Sequence, residues 1–184
     1  MSLVRTTLPA SEPITLDEAK LHLHVTHLAE DALITKLIKA ARMDCEHKLQ
    51  RTLITSGWTL KLNSFSDLDY LPMPNLLSVV SVSYFDSDNV LQVINPADYR
   101  VSGVGSYGYL TPVESWPAVY KRLESVTIVY TAGYGAADDV PEPIKQWILL
   151  AIGDMYMSRE RSSDRPVVTQ HFADALLEPY KVWA

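Results

Sequence analysis

The chain has 184 residues, with 22 acidic against 16 basic side chains and a formal net charge of −6, and it contains no lysine or arginine run, so it lacks the electrostatic footprint of a nucleic-acid binder. A single cysteine, Cys45, excludes an internal disulfide framework and a cysteine-rich zinc site. The longest apolar run, Trp147–Ile152, is six residues, against roughly 20 needed to span a bilayer. The start of the chain carries Arg5, Glu12 and two prolines rather than the apolar core of a signal peptide. These features read as a soluble, unsecreted protein with no membrane association. At this length a single domain over residues 1–184 is expected, large enough to bury a core without staples.

In chain order, the first expected element is a short helix to about His22. Thr15-Leu16-Asp17-Glu18 is a capping-box pattern, in which the hydroxyl and the carboxylate satisfy the first free amides of the helix. Leu16, Ala19 and Leu23 form its apolar face. A second helix is expected over about Glu30 to Arg51, because Leu33, Ile34, Leu37, Ile38, Ala41, Cys45 and Leu49 recur at helical spacing. Lys36, Lys39, Arg42, Glu46 and Lys48 are placed on its remaining, polar surface. It would be a strut about 33 Å long.

From about Gly57 to Thr131 the period changes from helical to alternating. Trp58, Leu60 and Leu62 alternate with Thr59 and Lys61, as in a half-buried strand. Val79 to Phe85 reads as a strand, Asp86-Ser87-Asp88-Asn89 as a turn, and Val90 to Ile94 as the returning partner. Tyr99–Val101 and Tyr107–Leu110 are short strands around a turn at Gly103–Gly105. Ser125 to Tyr130 is the clearest strand. The connections are too short for crossover helices, so the pairing is expected to be antiparallel.

Pro141 and Pro143 mark the start of a further helix, to about Arg159, since proline lacks the amide that a first turn leaves unpaired. Ser162 to Pro166 is a polar linker, and a last short helix is expected over about Gln170 to Glu178. The fold class is therefore α+β: a helical bundle from the N- and C-terminal helices (14–52 and 141–180) with an inserted antiparallel β-rich region (57–131).

The residue types that carry chemistry do not assemble into a site. His22 and His24 are two apart and point in different directions on a helix, and His27, His47 and His171 lack a metal-ligand spacing. Cys45 lies on the apolar side of a helix, where nothing generates a thiolate. Gly103-Val104-Gly105-Ser106-Tyr107-Gly108 matches a dinucleotide string but precedes Tyr109-Leu110-Thr111-Pro112, which opens no helix. The pairs Asp67/Asp69, Asp86/Asp88 and Asp138/Asp139 read as turn residues and are too short for a calcium loop. Tyr107, Tyr109, Trp116, Tyr120 and Tyr134 sit beside loops, a composition that leans toward protein interfaces. No catalytic, cofactor-binding or metal-ligating residue is identified.

Several phrases occur in order: Pro13-Ile14-Thr15-Leu16-Asp17-Glu18-Ala19-Lys20, Asp31-Ala32-Leu33-Ile34, Pro96-Ala97-Asp98-Tyr99-Arg100-Val101, Ser115-Trp116-Pro117-Ala118, Thr131-Ala132-Gly133-Tyr134-Gly135, Val140-Pro141-Glu142-Pro143-Ile144-Lys145-Gln146 and Leu176-Leu177-Glu178-Pro179-Tyr180. Together, over about residues 13 to 183, they resemble the tailed-bacteriophage head–tail connector (adaptor) family, in its prophage branch with a β insertion between the helices.

The resemblance implies a virion structural protein with no enzymatic activity and no cofactor, made in the bacterial host cytoplasm and placed at the head–tail junction. It implies a ring of identical copies, a portal protein and a tail-completion protein as partners, and genomic DNA passing through without specific binding. Two expectations accompany it: a ring lumen richer in Asp and Glu than in Lys and Arg, and a mobile arm at Ser162–Pro166 that orders on a partner. The competing readings are another phage morphogenesis protein such as a tail-completion factor, a small accessory hydrolase or nuclease, and a DNA-binding regulator. Charge and the lack of a recognition helix disfavour the last.

Overall fold

Thr15 caps the first helix as its motif predicts. Its hydroxyl accepts the Glu18 N–H at 3.2 Å, and the Glu18 carboxylate accepts the Thr15 N–H at 2.7 Å. This helix, α1 (Leu16–Leu23), ends at His24 in the left-handed conformation, φ 57°. Helix α2 (Asp31–Leu49) follows, with Gln50 as a second left-handed cap. Helix α3 (Glu142–Met157) begins at the two prolines, and the short α4 (His171–Ala175) leads into a 3-10 turn at Glu178–Tyr180. The computed structural model describes residues 1–103, 107–158 and 171–181; the linker read at Ser162–Pro166 lies outside them.

The chain is α+β, and its described residues gather into two units. The helical unit comprises residues 11–54 and 135–184. Within it α2 packs along α3, and α1 packs against both. Its interior is aliphatic: Ile34, Ile38, Ala41, Cys45 and Leu49 from α2 face Ile144, Ile148 and Ile152 from α3, all buried. The α2 residues among these are positions that its helical periodicity picked out, with two corrections. Leu33, counted on the apolar face, is 37% exposed. Arg42 and Glu46, assigned to the polar surface of α2, are both buried.

The β unit comprises residues 1–10 and 55–134. Its main sheet has five strands in the order β1 (Ser2–Thr7), β2 (Ser56–Leu62), β7 (Val126–Ala132), β3 (Leu76–Phe85), β4 (Leu91–Val93). A separate ribbon pairs β5 (Tyr99–Ser102) with β6 (Tyr109–Pro112). All the strand pairs are antiparallel, as the short connections require. The sequence reading placed no element before Thr15. The structure adds β1, whose Leu3 and Arg5 lie opposite Leu60 and Trp58.

Along β2 and β7 alternate residues are buried, so that Leu60, Leu62, Val126, Ile128 and Tyr130 build the core. The Tyr130 hydroxyl donates to the Pro72 carbonyl at 2.7 Å, which satisfies the polar tip of a fully buried ring.

Candidate functional site

The titratable residues singled out in the sequence are scattered by the fold. His22 lies on α1 beside a shallow groove with Glu18 and Lys145. His24 is the α1 cap, and His27 stands 3.9 Å from Glu30. His47 is exposed on α2, and His171 opens α4. Among the described residues no three His, Cys, Asp or Glu side chains gather closely enough to hold a metal ion.

Cys45 is fully buried in the helical unit. Burial first, then the negative charges of Glu46 and Asp44, push its thiol far above the ordinary range. It is a small core hydrophobe rather than a nucleophile.

The glycine string belongs to the β5–β6 ribbon. Gly103 has φ +79°, and a Cβ there would stand 1.9 Å from the Tyr107 carbonyl oxygen, so the turn requires glycine. Residues 104–106 lie outside the described residues. Gly108 bridges to Leu71 on a β path that leads into β6 rather than a helix.

The acidic pairs do turn work. Asp86 accepts the amides of Asp88 and Val90, each at 3.0 Å, and the Gln92 side-chain amide at 2.8 Å. These bonds, that from Val90 foremost, lower its pKa. Asp139 accepts the Ala136 amide at 2.8 Å in the 3-10 turn Ala137–Asp139. Asp67 closes the 3-10 turn Phe65–Asp67, with Asp69 exposed after it.

The loop aromatics separate into two kinds. Trp116 stacks on Phe65 with ring centroids 4.5 Å apart and planes within 6°, and Tyr107 meets Tyr70 edge-on at 4.6 Å. Tyr109 and Tyr120 are exposed, and Tyr134 is half-buried. Trp116 also lines a groove of about 520 Å³ in the β unit, with Tyr84, Val93, Asp98 and Glu114 around it. Asp98 and Glu114 share this groove with the polar side chains of Gln92, Asn95 and Ser115.

The sequence reading missed a buried ionic cluster. Arg42 Nη1 stands 2.7 Å from Glu46 Oε2, and Arg42 Nε stands 2.6 Å from Glu12 Oε2. The other Glu46 oxygen accepts the Leu53 amide at 3.0 Å. The available signal was an Arg–Glu pair at i, i+4 directly beside Ala41 and Cys45 on the apolar face. The cluster ties α2 to the segments before α1 and after α2.

The remaining feature of the β unit is its exposed apolar surface. Val4 on β1 is 50% exposed, and Leu91 and Val93 on β4 are 57% and 69% exposed. The helical unit likewise exposes Leu21, Leu28 and Met43. Apolar side chains displayed in this way fit docking better than chemistry.

Residues 13–88 match the family described as Phage gp6-like head-tail connector protein. No curated protein matches the chain. Several solved structures share its fold. A chain of "Neck of empty GTA particle computed with C6 symmetry" has a TM-score of 0.83 at 21% identity, covering 100% of this chain and 97% of that one. A chain of "Virion of native gene transfer agent (GTA) particle" has a TM-score of 0.82 at 21% identity, with the same coverage. A chain of "Neck of native GTA particle computed with C12 symmetry" has a TM-score of 0.80 at 20% identity, again with the same coverage. These likenesses establish the fold, and the stretch 13–88 is similar to the phage head–tail connector family.

Proposed function

We propose that the chain is a structural subunit of a ring in the neck of a phage-like particle, standing between a portal protein and a tail-completion protein. It acts by shape and docking, and makes or breaks no bond. The observation that carries this reading is the family match over residues 13–88. The complete fold likeness to chains of neck structures, two of them computed with C6 and C12 symmetry, supports it.

Ring building is consistent with the surface. Subunits repeated about a rotation axis meet through two different faces of the same molecule, and the chain displays apolar residues on separate elements of each unit. Each contact can be weak when a template gathers the copies, because binding at neighbouring sites becomes intramolecular. A net charge of −6 suits a channel through which DNA must slide without being held.

The test is to mix the purified protein with isolated portal rings and view the product by electron microscopy. The reading expects a closed ring of this chain on the tail-facing end of the portal. A protein that associates neither with itself nor with the portal at any concentration overturns it.

A further inference from the structure

The outer face of the five-stranded sheet distributes its side chains unevenly. Residues paired across the sheet share a face, so one outer row reads Ser2, Lys61, Thr127, Ser83, Val93 and the next reads Val4, Thr59, Val129, Ser81. The middle of this face carries hydroxyls and a lysine with Val129 among them, and Val80, at an irregularity of β3, is 60% exposed. Its margins carry Val4 on β1 and Leu91 and Val93 on β4, all at least half exposed.

Both margins are open strand edges, since β1 and β4 end the strand order. Asp86 N–H donates to the Val90 carbonyl, and Ile94 N–H donates to the Val82 carbonyl. In an antiparallel ladder the hydrogen-bonded pairs alternate, so the amides and carbonyls of Leu91 and Val93 point away from β3. Natural edges are ordinarily guarded by lysine, proline or bulges. The uncovered part of β3 follows that rule, with irregularities between Leu76 and Ser78 and between Val79 and Ser81. Ser2–Arg5 and Leu91–Val93 are in regular register, and the outward side chains at these margins carry no charge.

Resting on the ring reading above, we infer that the β4 edge of one copy pairs with the β1 edge of the next, so that the sheets of neighbouring copies run on as one. The occupant of each edge is a second copy of this chain. Residues 1–10 hold Arg5 and no acid, whereas residues 86–98 hold Asp86, Asp88 and Asp98 and no lysine or arginine, so the two edge segments are opposite in formal charge, with Arg5 resting over Trp58 and Arg122 reaching Asn89 beside the β4 margin. Successive antiparallel steps leave β1 and β4 running in the same direction. Copies related by rotation about an axis along the strands therefore meet head to tail with a parallel seam, and the two edges are the different faces that a ring needs. Val93 then lies level with Ser2 of the next copy, with Val4 two residues (roughly 7 Å) further along the strand, and both valines lose exposure to water.

The test uses the full-length variants Val4→Cys and Val93→Cys with a short bifunctional thiol reagent, on preparations in which electron microscopy shows rings. Mixing the two single variants should give a covalent dimer, and the doubly substituted chain should give a ladder of oligomers. Neither single variant alone should cross-link, and buried Cys45 adds no background. Val93→Lys should abolish ring formation while leaving the far-ultraviolet circular dichroism unchanged, because position 93 is exposed.

A dimer formed by either single variant alone would mean that like edges pair about a two-fold axis, and the head-to-tail seam would be wrong. Rings that form without cross-linking and survive Val93→Lys would overturn the seam and leave the ring reading standing. A wild type that forms no ring, alone or on a portal, would sink both.

Discussion

Arg42 and Glu46 lie one turn apart on α2 with Nη1 and Oε2 separated by 2.7 Å, both side chains almost wholly withdrawn from water. An ion pair in that position is desolvated, so its attraction is largely offset by lost hydration, and it is far more costly to break than to replace. Glu46→Ala removes one of the two carboxylates that pair with the buried guanidinium, leaving Glu12, and strands the Leu53 amide. It should destabilise the protein by about 3–5 kcal/mol, read as a lower urea midpoint at constant slope. The double replacement Arg42→Met with Glu46→Leu should cost less, leaving the Leu53 amide at about 1–3 kcal/mol and the partly exposed Glu12 carboxylate without Arg42. Equal losses in the two variants would show that the pair is not desolvated as the geometry requires.

The capping box at Thr15 yields a pH signature. Hydrogen bonds from the Thr15 hydroxyl and the Thr15 amide lower the Glu18 pKa below the usual glutamate value. A carboxylate with a depressed pKa in the folded state contributes stability that is complete above the unfolded-state pKa and disappears as the pH falls through the folded one. Thr15→Ala should lower stability by about 1 kcal/mol near neutrality, and should flatten the acid limb of the stability profile relative to wild type. An unchanged acid limb would assign that pH dependence to other groups.

Asp86 orders the β3–β4 turn through three accepted hydrogen bonds. In Asp86→Ala the Val90 amide, which points at the carboxylate, should exchange with solvent faster by nuclear magnetic resonance, while amides in β2 and β7 keep their protection. The depressed Asp86 pKa means that wild type retains this order above the ordinary aspartate range and loses it as the pH falls through the lowered value. Uniform exchange changes across the β unit would show instead that the turn is not a local device.

Cys45 should ignore thiol reagents at about pH 8.5, where an exposed cysteine is half thiolate. Its side chain is enclosed, and its environment opposes the charged form. Ellman's reagent should react only as denaturant opens the helical unit, with the same midpoint as the loss of helical signal. Rapid labelling of the native protein would contradict the packing of α2.

Purified protein should show no measurable affinity for duplex DNA at about 150 mM salt, since non-specific binding depends on neutralising phosphates and the net charge is −6. Fluorescence anisotropy with a labelled duplex checks this. A salt-dependent association would reveal a basic surface that the overall charge conceals.

The local devices were legible from sequence because they depend on neighbours within a few residues. The Thr15–Glu18 box, the proline start of α3, the glycine requirement at 103 and the aspartate turn at 86 all follow from short-range hydrogen bonding and backbone sterics. Alternation and helical periodicity marked most of the buried faces of α2, β2 and β7 for the same reason. The family resemblance was carried by the order of such phrases along the chain.

Other features arise only when distant stretches meet. Residues 2–7 have no strong strand signature, and they become β1 because β2 offers an unpaired edge, a partner at least 50 positions away. Arg42 and Glu46 have surface-type side chains, and they are buried because Glu12 and the Leu53 amide complete a hydrogen-bonded set around them. The apolar margins of the sheet likewise exist only once the strand order puts Val4 at one edge and Val93 at the other. Sequence determined what each segment can form, because propensity and capping are local. The tertiary structure decided which edges and charges were left for partners, because long-range pairing consumes some groups and leaves others exposed.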